Sequence, residues 1–144
     1  RRATLAVATE RILPGALEAG VMEHIDYWML RPPFSGFVQP LLKAGAGLLE
    51  QQARSRHGKA FIHCKPEEQD TLLRELQQGK PGKRFNGTGF CQHLLRFTME
   101  GFLGDPKYGG NRKGMGWEFI DRKECWWQPR RVELILNPNQ GLPY

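Results

Sequence analysis

The chain has 144 residues, 40% of them apolar and 25% charged. That is enough for one domain burying roughly 70% of its unfolded surface, and too apolar to be read as disordered. No apolar run approaches the roughly 18–20 residues that cross a bilayer, so no membrane span is expected. The 17 Gly and 10 Pro point to long loops beside the core. A formal charge of +6 invites a nucleic-acid reading, but the charge is unevenly spread: residues 1–72 carry 9 basic and 8 acidic side chains, residues 73–144 carry 12 and 7. The cations of the second half come as pairs and singles in Gly/Pro-rich sequence, not as one helix face. A partner with an acidic surface fits the same charge.

Residues 3–12 (ATLAVATERI) predict a short helix, stopped by Leu13-Pro14-Gly15. The chain opens on Arg1 rather than Met, so its native start is expected upstream. Arg1-Arg2 looks superficially like a twin-arginine signal, but only six small or apolar residues separate it from Thr9-Glu10-Arg11. Such signals need about 7–15, so the segment is read as helix. From residue 16 to 30, Val21, Ile25, Trp28 and Met29 recur at helical spacing. Arg31-Pro32-Pro33 ends that helix, and Ser35 can cap a third one running to about Arg56, with Phe37, Leu41, Ala44 and Leu48 as its stripe. Pro40 is expected in its first turn or at a kink. Pro66-Glu67-Glu68 opens a fourth helix with Pro in the first turn and carboxylates at the positive end of the dipole. Leu72, Leu73 and Leu76 are its expected buried face. The fifth runs from about Thr88 to Leu103 with Phe90, Leu94, Phe97 and Gly101 on one stripe. Past Gly104 the helical period disappears. The expectation is a mostly α fold: one domain over 1–144, a small irregular bundle of about five helices over 1–104, and a largely irregular Gly/Pro-rich extension over 105–144.

Residues 101–117 read GFLGDPKYGGNRKGMGW. Asp105-Pro106 starts a turn, because Asp bonds the following backbone and Pro fixes φ. Gly109-Gly110-Asn111 tolerate positive φ, Gly114 and Gly116 allow a close backbone approach, and Trp117 is the anchor. With no preceding strand and no following Gly-Lys-Ser/Thr, this is not a phosphate loop. Read without any family, it is a rigid loop pinning a tryptophan.

The same segment resembles the signature of the gluconate 2-dehydrogenase small (gamma) subunit family, through Asp105, Pro106, Tyr108, Gly109, Gly110, Asn111, Gly116 and Trp117. Upstream, Pro14, Gly15-Ala16 and Glu18-Ala19-Gly20-Val21, followed by His24-Ile25-Asp26, are similar to that family's early stretch. Phe61 and the helix beginning Pro66-Glu67-Glu68-Gln69 fall where the family has an "F…Q" helix. The resemblance covers about residues 4–120 and departs after Ile120. It implies an accessory subunit without catalytic, cofactor-binding or metal-ligating residues of its own, beside a large FAD-binding catalytic subunit of a sugar or polyol dehydrogenase. FAD, with an Fe–S cluster or haem c where the complex has one, is expected on partner subunits, one of them a multihaem cytochrome c in such complexes. The resemblance also implies periplasmic location, export with the partner by the twin-arginine route, and an inner-membrane association made only through partner subunits.

The residues themselves offer little catalytic chemistry. No nucleophile-elbow or dinucleotide fingerprint occurs. His63-Cys64 and Cys91-x-His93 lack the usual metal-ligand spacing, and no C-x-x-C-H haem motif is present. The three cysteines, Cys64, Cys91 and Cys125, are odd in number. In a reducing compartment they read as buried apolar residues; after export one pair would leave a thiol over. Cys91 is expected to be buried. The tail is the expected partner contact: Trp126 and Trp127 as anchors, Arg130 and Arg131 as carboxylate forks, and Cys125 as the candidate for an intersubunit disulfide. The other reading of the tail folds it back on its own helices. A basic nucleic-acid-binding domain is the alternative for the whole chain, and a free-standing enzyme a third.

Overall fold

The computed structural model describes residues 1–80 and 84–120. These form six helices: α1 (Arg2–Ile12), α2 (Val21–Met29), α3 (Phe34–His57), α4 (Pro66–Gln77), α5 (Gly87–Leu103) and α6 (Met115–Phe119). Short 3-10 turns lie at Phe61–His63, Pro106–Tyr108 and Arg112–Gly114, and the described residues contain no strand. The mostly α irregular bundle expected from periodicity is therefore what forms. Helix α6 is an addition to the five expected, and no helix of the described residues is long and apolar enough to cross a membrane.

Helix α5 is the hub, touching every other α-helix. Its expected stripe of Phe90, Leu94, Phe97 and Gly101 is buried, joined by Thr98 and Phe102. Thr98 returns its hydroxyl to the Leu94 carbonyl, so its burial leaves no donor unmet. Asn86 caps the helix by accepting from the Gly89 N–H at 2.8 Å. The Cys91 side chain is half-buried rather than fully inside.

Helix α3 corrects the expected stripe by one residue. Phe37 is 66% exposed and Ala44 is also exposed, whereas Val38, Leu42, Gly45, Ala46, Leu49 and Ala53 face the core. The winning series is the one rich in small residues, because α5 crosses close by: a Cβ on Gly45 would lie 2.1 Å from the Phe90 ring. Pro40 sits inside α3, beyond the first turn. It lacks the N–H that would bond Gly36, but both residues are exposed and water can take the free carbonyl.

Helix α2 starts at Val21, later than its periodicity suggests. Glu10 accepts from the Gly15 N–H at 2.8 Å and the Leu17 N–H at 3.0 Å, holding that segment as turns. Helix α4 opens as expected, with Glu68 accepting from the Lys65 N–H at 2.7 Å. Leu72 and Leu76 are buried, Leu73 only half so; Gln69, 5% exposed, takes the remaining inward position. Gln69 donates to the Phe61 carbonyl at 3.0 Å, and the Phe61 N–H donates to Glu50 at 3.1 Å. The Phe61 ring is thus held in the core from both sides of its own peptide. Ion pairs join the helices at the rim, Arg11 forking onto Asp70 at 2.8 Å twice and Arg56 meeting Glu75. The Arg11 guanidinium holds the Asp70 carboxyl below its ordinary value.

The crossing of α3 and α5 yields a paired prediction. Gly45→Ala should destabilise by about 1–3 kcal/mol through overpacking against Phe90. Gly36→Ala, whose Cβ meets nothing within 4 Å, should stabilise by about 0.5 kcal/mol through helix propensity. Urea unfolding of both variants checks the contrast, and equal shifts would refute the close crossing.

Candidate functional site

Residues 104–117 pack on the C-terminal end of α5, and Asn111 organises them. Asn111 is fully buried and left-handed (φ 44, ψ 46), a conformation that Asn tolerates better than most side chains. Its backbone N–H donates to the Gly101 carbonyl at 2.6 Å, and its carbonyl accepts from Gly114 at 2.9 Å. Its Nδ2 donates to the Gly104 carbonyl at 2.7 Å, and its Oδ1 accepts from the Gly116 N–H at 2.9 Å. One side chain therefore serves the carbonyl just past α5 and a donor in the first turn of α6, groups that regular helix bonding leaves orphaned.

The other expected residues converge on the same place. Asp105 accepts from the Lys107 N–H at 2.9 Å, which holds its carboxyl below the ordinary range. Pro106 opens the 3-10 turn. Tyr108 lays its ring against Tyr27 and Trp28, centroids 5.6 and 5.3 Å away. Trp117, half-buried, donates its indole N–H to the Leu103 carbonyl at 2.7 Å. Of the three residues expected to use positive φ, Gly109 (φ 97) and Asn111 do, whereas Gly110 does not. Gly110 is needed for proximity instead: a Cβ there would sit 2.0 Å from the Gly101 carbonyl, and one on Gly116 would sit 1.8 Å from that of Phe102.

The loop also clasps the start of α2. The Arg112 N–H donates to the Ala19 carbonyl at 2.9 Å, and the Arg112 guanidinium lies 3.4 Å from Glu23. Gly20, left-handed at φ 80, faces the Gly109 carbonyl, and Gly109 in turn lies against the backbone of Glu23 and His24. The two segments that carry the sequence resemblance, residues 14–26 and 105–117, are thus one contact surface.

His24, read in the sequence only as part of the family's early stretch, is buried in this site. It is 5% exposed, its Nε2 has no hydrogen-bond partner, and its ring lies among Trp28, Phe97 and Gly101. Burial pushes its pKa below the ordinary value, opposed by the Glu100 carboxylate and the Tyr108 backbone. Trp28 was legible as part of the α2 stripe and Arg31 as the helix stop, whereas Tyr27 drew no reading. The adjacent Tyr-Trp pair before an Arg was the available signal.

Cys64 and Cys91 are free thiols. Burial raises both, Cys91 to about 11, so neither is a thiolate at neutral pH. His63 and Cys64 lie at the Phe61–His63 turn, Cys91 and His93 on α5, and no group of three or more ligating side chains assembles among the described residues. Cys125, Trp126, Trp127, Arg130 and Arg131 lie outside the described residues.

What the geometry defines is a small helical domain whose early turn and late glycine–asparagine loop lock into each other. A family model described as gluconate 2-dehydrogenase subunit 3 matches residues 1–122, and the chain belongs to that family. No curated protein and no solved structure matches the chain.

Two measurements test this site. Asn111→Ala should cost about 2–4 kcal/mol in urea unfolding, since it strands two backbone groups and forces Ala into a left-handed conformation. Asn111→Gly keeps the conformation and should cost less; the reverse order would refute the role given to Asn111. For His24, a depressed folded-state pKa means that the unfolded chain binds the proton first. Stability should therefore fall as pH drops below about 6.5, levelling off once the folded protein is protonated. The lowered carboxyls of Glu68, Asp70 and Asp105 act only in the more acidic range. Melting temperatures between about pH 7.5 and 5 should fall for wild type and flatten for His24→Gln; parallel slopes would refute it.

Proposed function

We propose that this chain is an accessory subunit of a periplasmic FAD-dependent sugar or gluconate dehydrogenase of the GMC type, stabilising the flavoprotein and assisting its export. The family match over residues 1–122 carries this reading. The site supports it as well, because the polar groups of Asn111, Asp105 and Trp117 serve backbone bonds within the fold, as a structural loop requires. Any haem c or iron–sulfur cluster would belong to partner subunits. In this reading the tail holds the flavoprotein through Trp126, Trp127, Arg130 and Arg131, and Cys125 forms an intersubunit disulfide.

Purification from the native host through a tag on this chain tests the proposal. The expected product is a stoichiometric larger subunit with flavin absorbance, joined to the chain on non-reducing mass analysis and separated from it by Cys125→Ser. A colourless monomer would overturn the accessory role. Substrate turnover by the purified chain alone would overturn the absence of catalysis. An unlinked flavoprotein complex would overturn only the disulfide.

A further inference from the structure

One face of the bundle is built from aromatic rings that the core does not fully enclose. Half-buried Tyr27, Trp28 and Phe34 form a continuous wall with Tyr108: ring centroids lie 5.1 Å apart for Tyr27–Trp28, 5.3 Å for Trp28–Tyr108 and 5.8 Å for Trp28–Phe34. The seam between α3 and α5 extends it, Phe34 on Phe97 at 5.3 Å and, a turn further along each helix, Phe37 against His93 at 6.1 Å. Phe37, at 66% exposure, leaves most of its ring in water.

Cations are stacked on this wall. The Arg31 guanidinium lies 3.6 Å from the Tyr27 ring centre, and the Lys107 ammonium 4.8 Å from that of Tyr108. Arg31 is hydrogen-bonded to the Tyr27 carbonyl but forms no ion pair among the described residues. Its remaining N–H groups stay available to fork a carboxylate. Ring stacking also pre-orders a long side chain that would otherwise lose rotamer entropy on binding. Half-exposed aromatics with a stacked Arg are the composition of an interface centre rather than of an ordinary solvated surface.

The geometry points to this wall as the seat of an acidic segment of the flavoprotein subunit, with carboxylates on Arg31 and Lys107 and an apolar side chain over Phe37. The inference rests on the accessory reading and adds a second contact to the tail. Single-stranded nucleic acid also stacks on basic aromatic faces. Here, however, Tyr27, Trp28, Phe34 and Tyr108 pack edge-on and tilted against one another, and only Phe37 leaves its ring largely in water. Asp105 sits beside Lys107 as well, and Glu23 and Glu100 are paired with Arg112 and Arg96. Interspersed carboxylates repel a polyphosphate backbone while leaving room for one placed carboxylate.

The test compares full-length tagged chains recovered from the native host, all carrying Cys125→Ser so that no covalent link holds the partner, with flavoprotein per chain read from flavin absorbance and the mass of the larger subunit. The double variant Arg31→Glu/Lys107→Glu should recover at least about tenfold less flavoprotein than wild type. Phe37→Ala, which removes an exposed ring, should reduce recovery by several-fold. Arg74→Glu, an exposed cation on α4, should change nothing. Melting temperatures near wild type confirm folding, and oxidative footprinting of the wild-type complex covers the case of a misfolded variant: Tyr27, Trp28 and Tyr108 should be protected relative to the free chain. Full recovery with the double variant, loss with Arg74→Glu instead, or unprotected rings would each overturn the inference while leaving the accessory role standing. Binding of labelled oligo(dT) by wild type at physiological salt, lost in the double variant, would reassign the wall to nucleic acid. A wild-type chain that brings no flavoprotein would overturn both readings.

Discussion

The fold closes on the Asn111 carboxamide. A helix of α5's length ends with carbonyls that no further turn can satisfy, and the chain must still leave it and begin α6 within a few residues. A single buried amide, with an acceptor on one side and a donor on the other, meets both needs. Its geometry then dictates its neighbours. The left-handed backbone at Asn111 aims Arg112 back at Ala19. The tight seat on α5 admits no Cβ at Gly110 or Gly116. The glycine-rich appearance of the loop is thus the footprint of one polar contact held at close range.

This accounts for why two stretches far apart in sequence carry the family resemblance. Gly20 and Gly109 meet backbone to backbone, so the two stretches form one packed unit of the fold. The same reasoning reaches the "F…Q" pair. Phe61 and Gln69 are partners in one hydrogen bond, the amide being the price of seating a large ring beneath a short turn.

Much of this was legible from residue order. The α5 stripe, the Pro-Glu-Glu start of α4 and the Asp-Pro turn all follow from local rules that tertiary packing did not override. The α3 stripe was misread because two apolar series run along that helix one residue apart. What separates them is steric: Gly45 admits the Phe90 ring, and side-chain hydrophobicity carries no record of that. Helix α6 escaped because five residues with an internal glycine leave no period to detect. His24 looked like an ordinary helical polar residue, and its seclusion depends on Gly101, far along the chain, lacking a side chain. For the α3 stripe and for His24 the deciding partner is remote in sequence.

The clasp between Arg112 and Ala19 joins segments about ninety residues apart, so loop closure is costly and late. During synthesis the Ala19 carbonyl emerges early and stays in water until nearly all of the described fold has been made. A chain cut short before Tyr108 would carry a bundle open at the α2–α5 end, without the ring that lies on Tyr27 and Trp28. Such a fragment presents the apolar surface that chaperones and proteases recognise. The loop thereby acts as a seal of completeness, marking the whole chain as distinct from its fragments.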